Sequence, residues 1–439
     1  MIHLLLRYIG IKTKLLDFIK REIDLITPDG GGVLDMFAGS TVVGQKLLNN
    51  HVVYSNDIQN YSRLTAETLI AIDGSFDYSS LDYKKVAESA YFKNNFDYLM
   101  GLLSVPAEYE RKMFAKTEQS IEDEAALLEF KNYYENAPYS GHFNCTIECF
   151  KNTKEVFSKQ FYLQSKKNKN NGGFYNLFSL VYGVPYFSLN EAIFVDSFRY
   201  AIDKLLQEDS ISKTEYNCYL SLLVYVLENT VTSVGDHFAQ PQQFKISSEA
   251  RLQREVKKIL SKKTKDLFEI MDEMQEQLKT IKATQYSSRN RVFCCDYKEL
   301  FENDASALRE ITTIYIDPPY TNAHYSRFYH ILETLVLYDY PDIEFFGRYR
   351  SDRYQSPFCI RSEALNEFSE MMRLCSESKK KLVISYSDTS QCILKKDEII
   401  DITKKYYGNV QVKEMDYLYR NFGQKPNKVK GNELLIICE

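Results

Sequence analysis

The sequence predicts an α/β fold whose sheet is interrupted by a large, mainly helical insertion. Three observations carry this. Residues 32–57, GVLDMFAGSTVVGQKLLNNHVVYSND, run strand, small-residue turn, helix and strand ending in an acid, half of a nucleotide-binding sheet. From Arg291 short apolar strands return. Between them lies a Tyr-, Phe-, Lys- and Asn-rich stretch with helical spacing. The expected boundaries are 1–75 with 286–439 for the α/β domain and 76–285 for the insertion.

Taken in order, residues 11–26 place Leu15, Leu16, Ile19, Ile23 and Ile26 at helical spacing, ended by Pro28 and three glycines. Strands are expected over 33–36 and 52–57, with a helix over 41–48 between them. In the insertion, 166–173 (KKNKNNGG) reads as a polar flexible loop, and 190–206 and 216–230 read as helices. Residues 251–283 read as one amphipathic helix of about 50 Å, with Leu252, Val256, Ile259, Leu267, Ile270 and Met274 on its apolar face. Beyond it, RVFCCDY is a strand ending at Asp296, with Cys294 and Cys295 in the core. TTIYIDPPY is a buried strand entering a charged turn, and 381–388 is a further strand. Segments 410–419 and 432–438 form a closing antiparallel pair.

Bulk properties narrow the function. The 439 residues are 44% hydrophobic and 26% charged, which gives a real core and argues against disorder. No run of roughly 18 apolar residues suits a membrane span. The apolar run at the N-terminus is too short for a signal peptide, so a cytoplasmic location is expected. Nine cysteines without a CxxC pair, and Cys145 and Cys149 without a completing set, read as reduced thiols; no metal is expected. The net charge of −5 does not favour nucleic acid, but local basic clusters exist, among them Arg348, Arg350 and Arg353.

The strongest chemical signal is Asp317-Pro318-Pro319-Tyr320 directly after an apolar strand. An aromatic amine is a poor nucleophile because its lone pair is delocalised into the ring. A carboxylate and a backbone carbonyl that accept its two N–H bonds draw it toward tetrahedral geometry. Asp317 supplies the carboxylate, the prolines fix the backbone, and Tyr320 offers a stacking face for a flipped base. As a bare tetrapeptide the segment also reads as an ordinary turn. A second signal is Asp35-Met36-Phe37-Ala38-Gly39-Ser40, where a strand-end acid can receive an α-amino group and Gly39 admits a close ligand. Its spacing is not GxGxxG, which disfavours NAD. Asp57 can take ribose hydroxyls, Asp296 an adenine amine, and Lys12 in YIGIK a carboxylate; a lone strand-end Asp is equally a helix cap.

In this order the motifs resemble the Dam-like and D12-type N6-adenine DNA methyltransferases. YIGIK, DMFAGS, SNDI, CCDY and DPPY stand in that group's order, and ISYSD and GNELLII are similar to its later strands. Ser40 and Thr41 stand where a further Gly is usual. The resemblance implies a Rossmann-like, S-adenosylmethionine-dependent methyltransferase sheet with a target-recognition insertion. It implies cofactor contacts from Tyr8, Gly10, Lys12, Asp35, Phe37, Ala38, Gly39, Ser40, Asp57, Ile58, Asp296 and Tyr297. Asp317, Pro318, Pro319 and Tyr320 would hold the adenine. His324, Tyr325, Arg327 and His330, with Arg348, Arg350 and Arg353, are candidate contacts to double-stranded DNA. A helix with Phe328, Ile331 and Leu335 in the core is the other reading of 322–334. No nuclease motif is present, so cleavage in a restriction or other phage-defence system would fall to a separate subunit. RNA adenine methylation and an inactive DNA-binding module remain as alternatives; glutamine or cytosine-N4 methylation is disfavoured by Asp at position 317.

Overall fold

The computed structural model describes residues 2–8, 12–244, 248–420 and 428–439. Chain contacts divide it into two compact units, 1–77 with 280–328 and 353–439, and 78–279 with 329–352. The second range of the helical unit differs from the sequence expectation. Residues 329–352 pack with the helices and not with the sheet.

The first unit is built on seven strands: β1 (Gly32–Asp35), β2 (Val52–Asn56), β3 (Arg291–Phe293), β4 (Ile311–Ile316), β5 (Lys381–Asp388), β6 (Val410–Arg420) and β7 (Lys428–Cys438). Their spatial order is β3-β2-β1-β4-β5-β7-β6. The first five are parallel; β7 runs antiparallel to β5, and β6 antiparallel to β7. Parallel strands are buried on both faces, and β1 and β2 are accordingly buried along their whole length, with Asp35, Ser55 and Asn56 as the polar residues at their carboxyl ends. Alternation still sorts the faces. Leu34, Ile314, Ile316, Leu382, Ile384 and Ile436 pack with Phe368, Met371, Ile399 and Ile402 of helices Ala364–Glu377 and Lys396–Tyr406. The helix Leu16–Ile26 buries Leu16, Phe18, Ile19 and Ile23.

Strand β3 stops at Phe293, so Cys294 and Cys295 are half-buried residues past its end, not core. Asn56 draws the turn together there. Its amide donates to the Cys295 carbonyl (3.2 Å), and its Oδ1 accepts the Cys295 N–H (3.4 Å).

In the helical unit, Ala90–Gln119 packs along Leu189–Gln207, and the helix expected over 216–230 spans Lys213–Thr230. The single long helix expected over 251–283 is two, Glu249–Lys263 and Leu267–Lys279. The cause is local: Asp266 starts a new helix by accepting the Phe268 N–H on its side chain (2.8 Å). The expected loop at 166–173 is helical through most of its length, within Lys159–Asn170. Ser158 caps that helix at its start, and Gly172 turns out of it with φ +81°.

Candidate active site

Strands β1 and β4 are parallel neighbours, yet the chain leaves β1 toward β2 and β3 and returns to β4 from the far side. At such a reversal the loops beyond the carboxyl ends diverge and leave a crevice. Asp35 is the last residue of β1, and Asp317 follows the last residue of β4. Both line one pocket.

Each strand end contributes a wall. The turn after β1 brings Phe37, Ala38, Gly39 and Ser40; the end of β2 brings Asp57 and Ile58. Asp296 and Tyr297 enter after β3, and Pro318, Pro319 and Tyr320 after β4. Tyr8 and Lys12 come from the N-terminal segment. Gly10 lies outside the described residues. Gly39 has φ +49°, and a Cβ there would stand 2.8 Å from the Tyr8 ring, so both conformation and space require glycine. Asp57 fixes this turn by accepting the Gly39 and Gln59 N–H groups, each at 2.9 Å. Asp296 combines both readings of a strand-end acid. It caps the helix Tyr297–Asn303 through the Lys298 N–H (3.0 Å), and its other oxygen accepts the Tyr354 hydroxyl (3.0 Å) while it lines the pocket.

The electrostatics are dominated by buried carboxylates. Burial, then the charges of Asp317 and Asp57, push Asp35 up to about 8. Burial raises Asp317 to about 6, with Lys12 opposing the shift and Glu433 adding to it. Lys12 stands between two of these acids, 3.2 Å from Asp317 Oδ1 and 2.8 Å from Glu433 Oε1. Burial pulls its ammonium down, but Asp317 and Glu433 outweigh burial and hold it well above the usual lysine range. Lys12, expected at the cofactor, lines the pocket, donates its hydrogen bond to Glu433 and is ion-paired with the carboxylate of Asp-Pro-Pro-Tyr.

Aromatic rings complete the walls. Phe37 meets Phe358 edge-on at 5.6 Å and Tyr297 at 6.0 Å. Tyr8 stacks on Tyr325 at 5.2 Å, and Tyr320 leans on Tyr386 at 5.5 Å.

The candidate DNA contacts separate. His324 and Tyr325 line the pocket, Arg327 is exposed, and the charge of Arg353 reaches His324. Arg348 and Arg350 do not offer surface cations. Both are buried in the helical unit. Arg348 donates to the Val181 carbonyl and lies 3.9 Å over the Tyr139 ring, and burial pulls it down to about 10. Arg350 is held by Asp339 (2.6 and 2.8 Å) and Asp352. His330 is likewise buried, with Nε2 2.9 Å from the Phe238 carbonyl oxygen. Ile331 and Leu335 are core, as the second reading of that segment expected. The arginine-rich composition of 348–353 misled because burial is invisible in composition.

Sequence reasoning missed Glu433, Asn56 and Tyr354. The signal for Glu433 was present, a lone acid in the apolar run NELLII. Among the described residues no cluster of His, Cys, Asp and Glu could hold a metal ion, and no helix is long and apolar enough to cross a membrane.

The chain is 27% identical over 433 residues to the modification methylase LlaI of Lactococcus lactis subsp. lactis, covering 97% of this chain and 53% of that protein. It is 23% identical over 435 residues to the type II methyltransferase M.FokI of Planomicrobium okeanokoites, covering 98% and 51%. It is 22% identical to the modification methylase StsI of Streptococcus sanguinis, covering 98% and 50%. The chain thus spans about half the length of each of these relatives. The model of the D12 class N6 adenine-specific DNA methyltransferases matches residues 8–178 and 141–406, from Tyr8 through Asp-Pro-Pro-Tyr to the helix after β5. The chain belongs to that family.

Proposed function

We propose that this chain transfers a methyl group from S-adenosylmethionine to N6 of an adenine flipped out of double-stranded DNA, at a specific sequence. We propose further that it is the modification component of a restriction-modification or other phage-defence system. The observation that carries this reading is the convergence of Asp35, Asp57 and Asp317 on one pocket at the strand-order reversal.

The cofactor fits the charge of the site. Asp35 is raised first by burial and then by two neighbouring carboxylates, and a cationic ligand relieves both the desolvation and the repulsion. S-Adenosylmethionine carries two positive groups, an α-ammonium and a sulfonium, and supplies a methyl whose carbon leaves sulfur as the C–S electron pair stays behind. Asp35 would hold the ammonium and Asp57 the ribose hydroxyls. Phe37, Tyr297 and Phe358 would together form the apolar wall against the adenosine base, with Asp296 at its edge. Asp317 would accept one N6–H bond of the substrate adenine, localising the lone pair, and would take up the proton N6 gives up as the methyl group is transferred. Pro318 and Pro319 hold the loop rigid, and Tyr320 would stack on the flipped base. His324, Tyr325, Arg327 and Arg353 are proposed DNA contacts, and the helical unit, residues 76–285 in the sequence reading, is the proposed target-recognition domain.

The test is direct. The purified chain is incubated with S-adenosylmethionine and plasmid DNA from a host lacking adenine methylation, and the digested nucleosides are analysed by mass spectrometry. N6-Methyladenosine's deoxy form above the cofactor-free control is expected. Methyl groups on cytosine, on RNA offered in parallel, or on neither overturn the reading.

A further inference from the structure

Glu433 lies on β7, fully buried, in a strand that is otherwise apolar at 434–438. Its Oε1 accepts from Lys12 Nζ at 2.8 Å and from the Ser385 hydroxyl of β5. The same ammonium is 3.2 Å from Asp317 Oδ1 and 5.5 Å from the centre of the Tyr320 ring. One buried cation is therefore shared by two acids, a half-buried one that lines the pocket and a fully buried one that lies behind it in the sheet. Apolar residues of similar volume often replace a buried ion pair at no cost in stability, so a gain in stability does not by itself explain this cluster.

We propose that Glu433 is a positioning residue for methyl transfer, acting through Lys12 on Asp317. This rests on the methyltransferase reading above. By sharing the ammonium, Glu433 keeps Lys12 from closing fully onto Asp317. Asp317 then retains acceptor capacity for the adenine amine, and the second negative charge keeps its carboxylate basic. Lys12 in turn keeps Asp317 ionised despite burial. Without Glu433, the ammonium has Asp317 as its remaining acidic partner in the cluster. It then competes with the N6–H group for the same oxygens, and the carboxylate becomes a weaker base.

The test compares the full chain with Glu433→Gln and Glu433→Asp. Single-turnover methylation of plasmid DNA from a host lacking adenine methylation is measured across the pH range, with cofactor affinity by calorimetry. For Glu433→Gln the acid limb of the rate profile moves down by about one pH unit, and the plateau rate falls roughly 10-fold. Cofactor affinity stays within about 3-fold, because the change lies behind the pocket. Glu433→Asp keeps the charge on a shorter arm, so its limb moves the same way by less. It carries the test if the glutamine variant fails to fold. An acid limb that stays in place in a folded variant, whatever happens to the plateau, overturns the proposal. Absence of methylation by the unmutated chain overturns the methyltransferase reading instead.

Discussion

Lys263 in the helical unit and Asp35 in the sheet unit are both buried, and their surroundings differ in kind. The Lys263 ammonium donates to Glu191 Oε2 (2.6 Å), the Thr230 carbonyl (2.7 Å) and the Tyr186 carbonyl (3.2 Å). Asp196 in the same unit accepts the Phe178 and Ser179 N–H groups, each at 2.8 Å, and the Ser179 hydroxyl at 2.7 Å. These charges hold helices in register and face protein on every side. Asp35 instead faces a pocket with Asp317 and Asp57 beside it, so its main neighbours repel it. A buried charge with a full set of partners marks scaffold. Buried like charges around a space mark a binding site for the opposite charge.

Substitutions test that contrast. Asp317→Ala should lower methyl transfer by at least roughly 1000-fold, with cofactor affinity within a few-fold. Near-full activity would remove Asp317 from the chemistry. Lys263→Ala, which strands the Glu191 carboxylate, should cost about 3–5 kcal/mol in urea unfolding. A stability change under about 1 kcal/mol would show that this network is not scaffold. Asp35→Asn should weaken S-adenosylmethionine roughly 10–100-fold, the worth of a hydrogen bond to a charged group.

The pH behaviour sharpens the same distinction. With Asp35 near 8, much of it is protonated at pH 7 in the free protein. A bound ammonium favours the ionised form, so binding releases a proton. Calorimetry in two buffers of different ionisation enthalpy should report that release, and Asp35→Asn should abolish it; uptake of a proton would reverse the assignment. Asp317, near 6, must be ionised to accept the amine, so the rate should fall as pH drops through about 6. A flat profile from pH 5 to 8 would contradict that role.

Most of the sheet unit was legible in the sequence, and the reason is physical. Parallel strands such as VVYSN and ITTIYI are largely buried on both faces and rich in β-branched and apolar residues, and each leads straight into an acid. The pocket-lining acids sit at those ends, each local to its own strand in sequence, so Asp35, Asp57, Asp296 and Asp317 could be named individually. Glu433 was harder because its role depends on β7 lying beside β5, a pairing of strands far from Lys12 in sequence. The helical unit was legible as helices but not in its joints. Asp266 splits a periodic apolar stripe that continues on both sides of the break. Arg348 and Arg350 read as a basic surface because nothing in RYRSDR tells that Val181, Asp339 and Asp352 await them.

The most direct test of adenine methylation at a defined site is single-molecule sequencing of genomic DNA from a methylation-free host expressing this chain or its Asp317→Ala variant. N6-Methyladenine in one short sequence context, present with the unmutated chain and absent with the variant, is the expected result. Unmodified adenine in both, or equal modification in both, would contradict it.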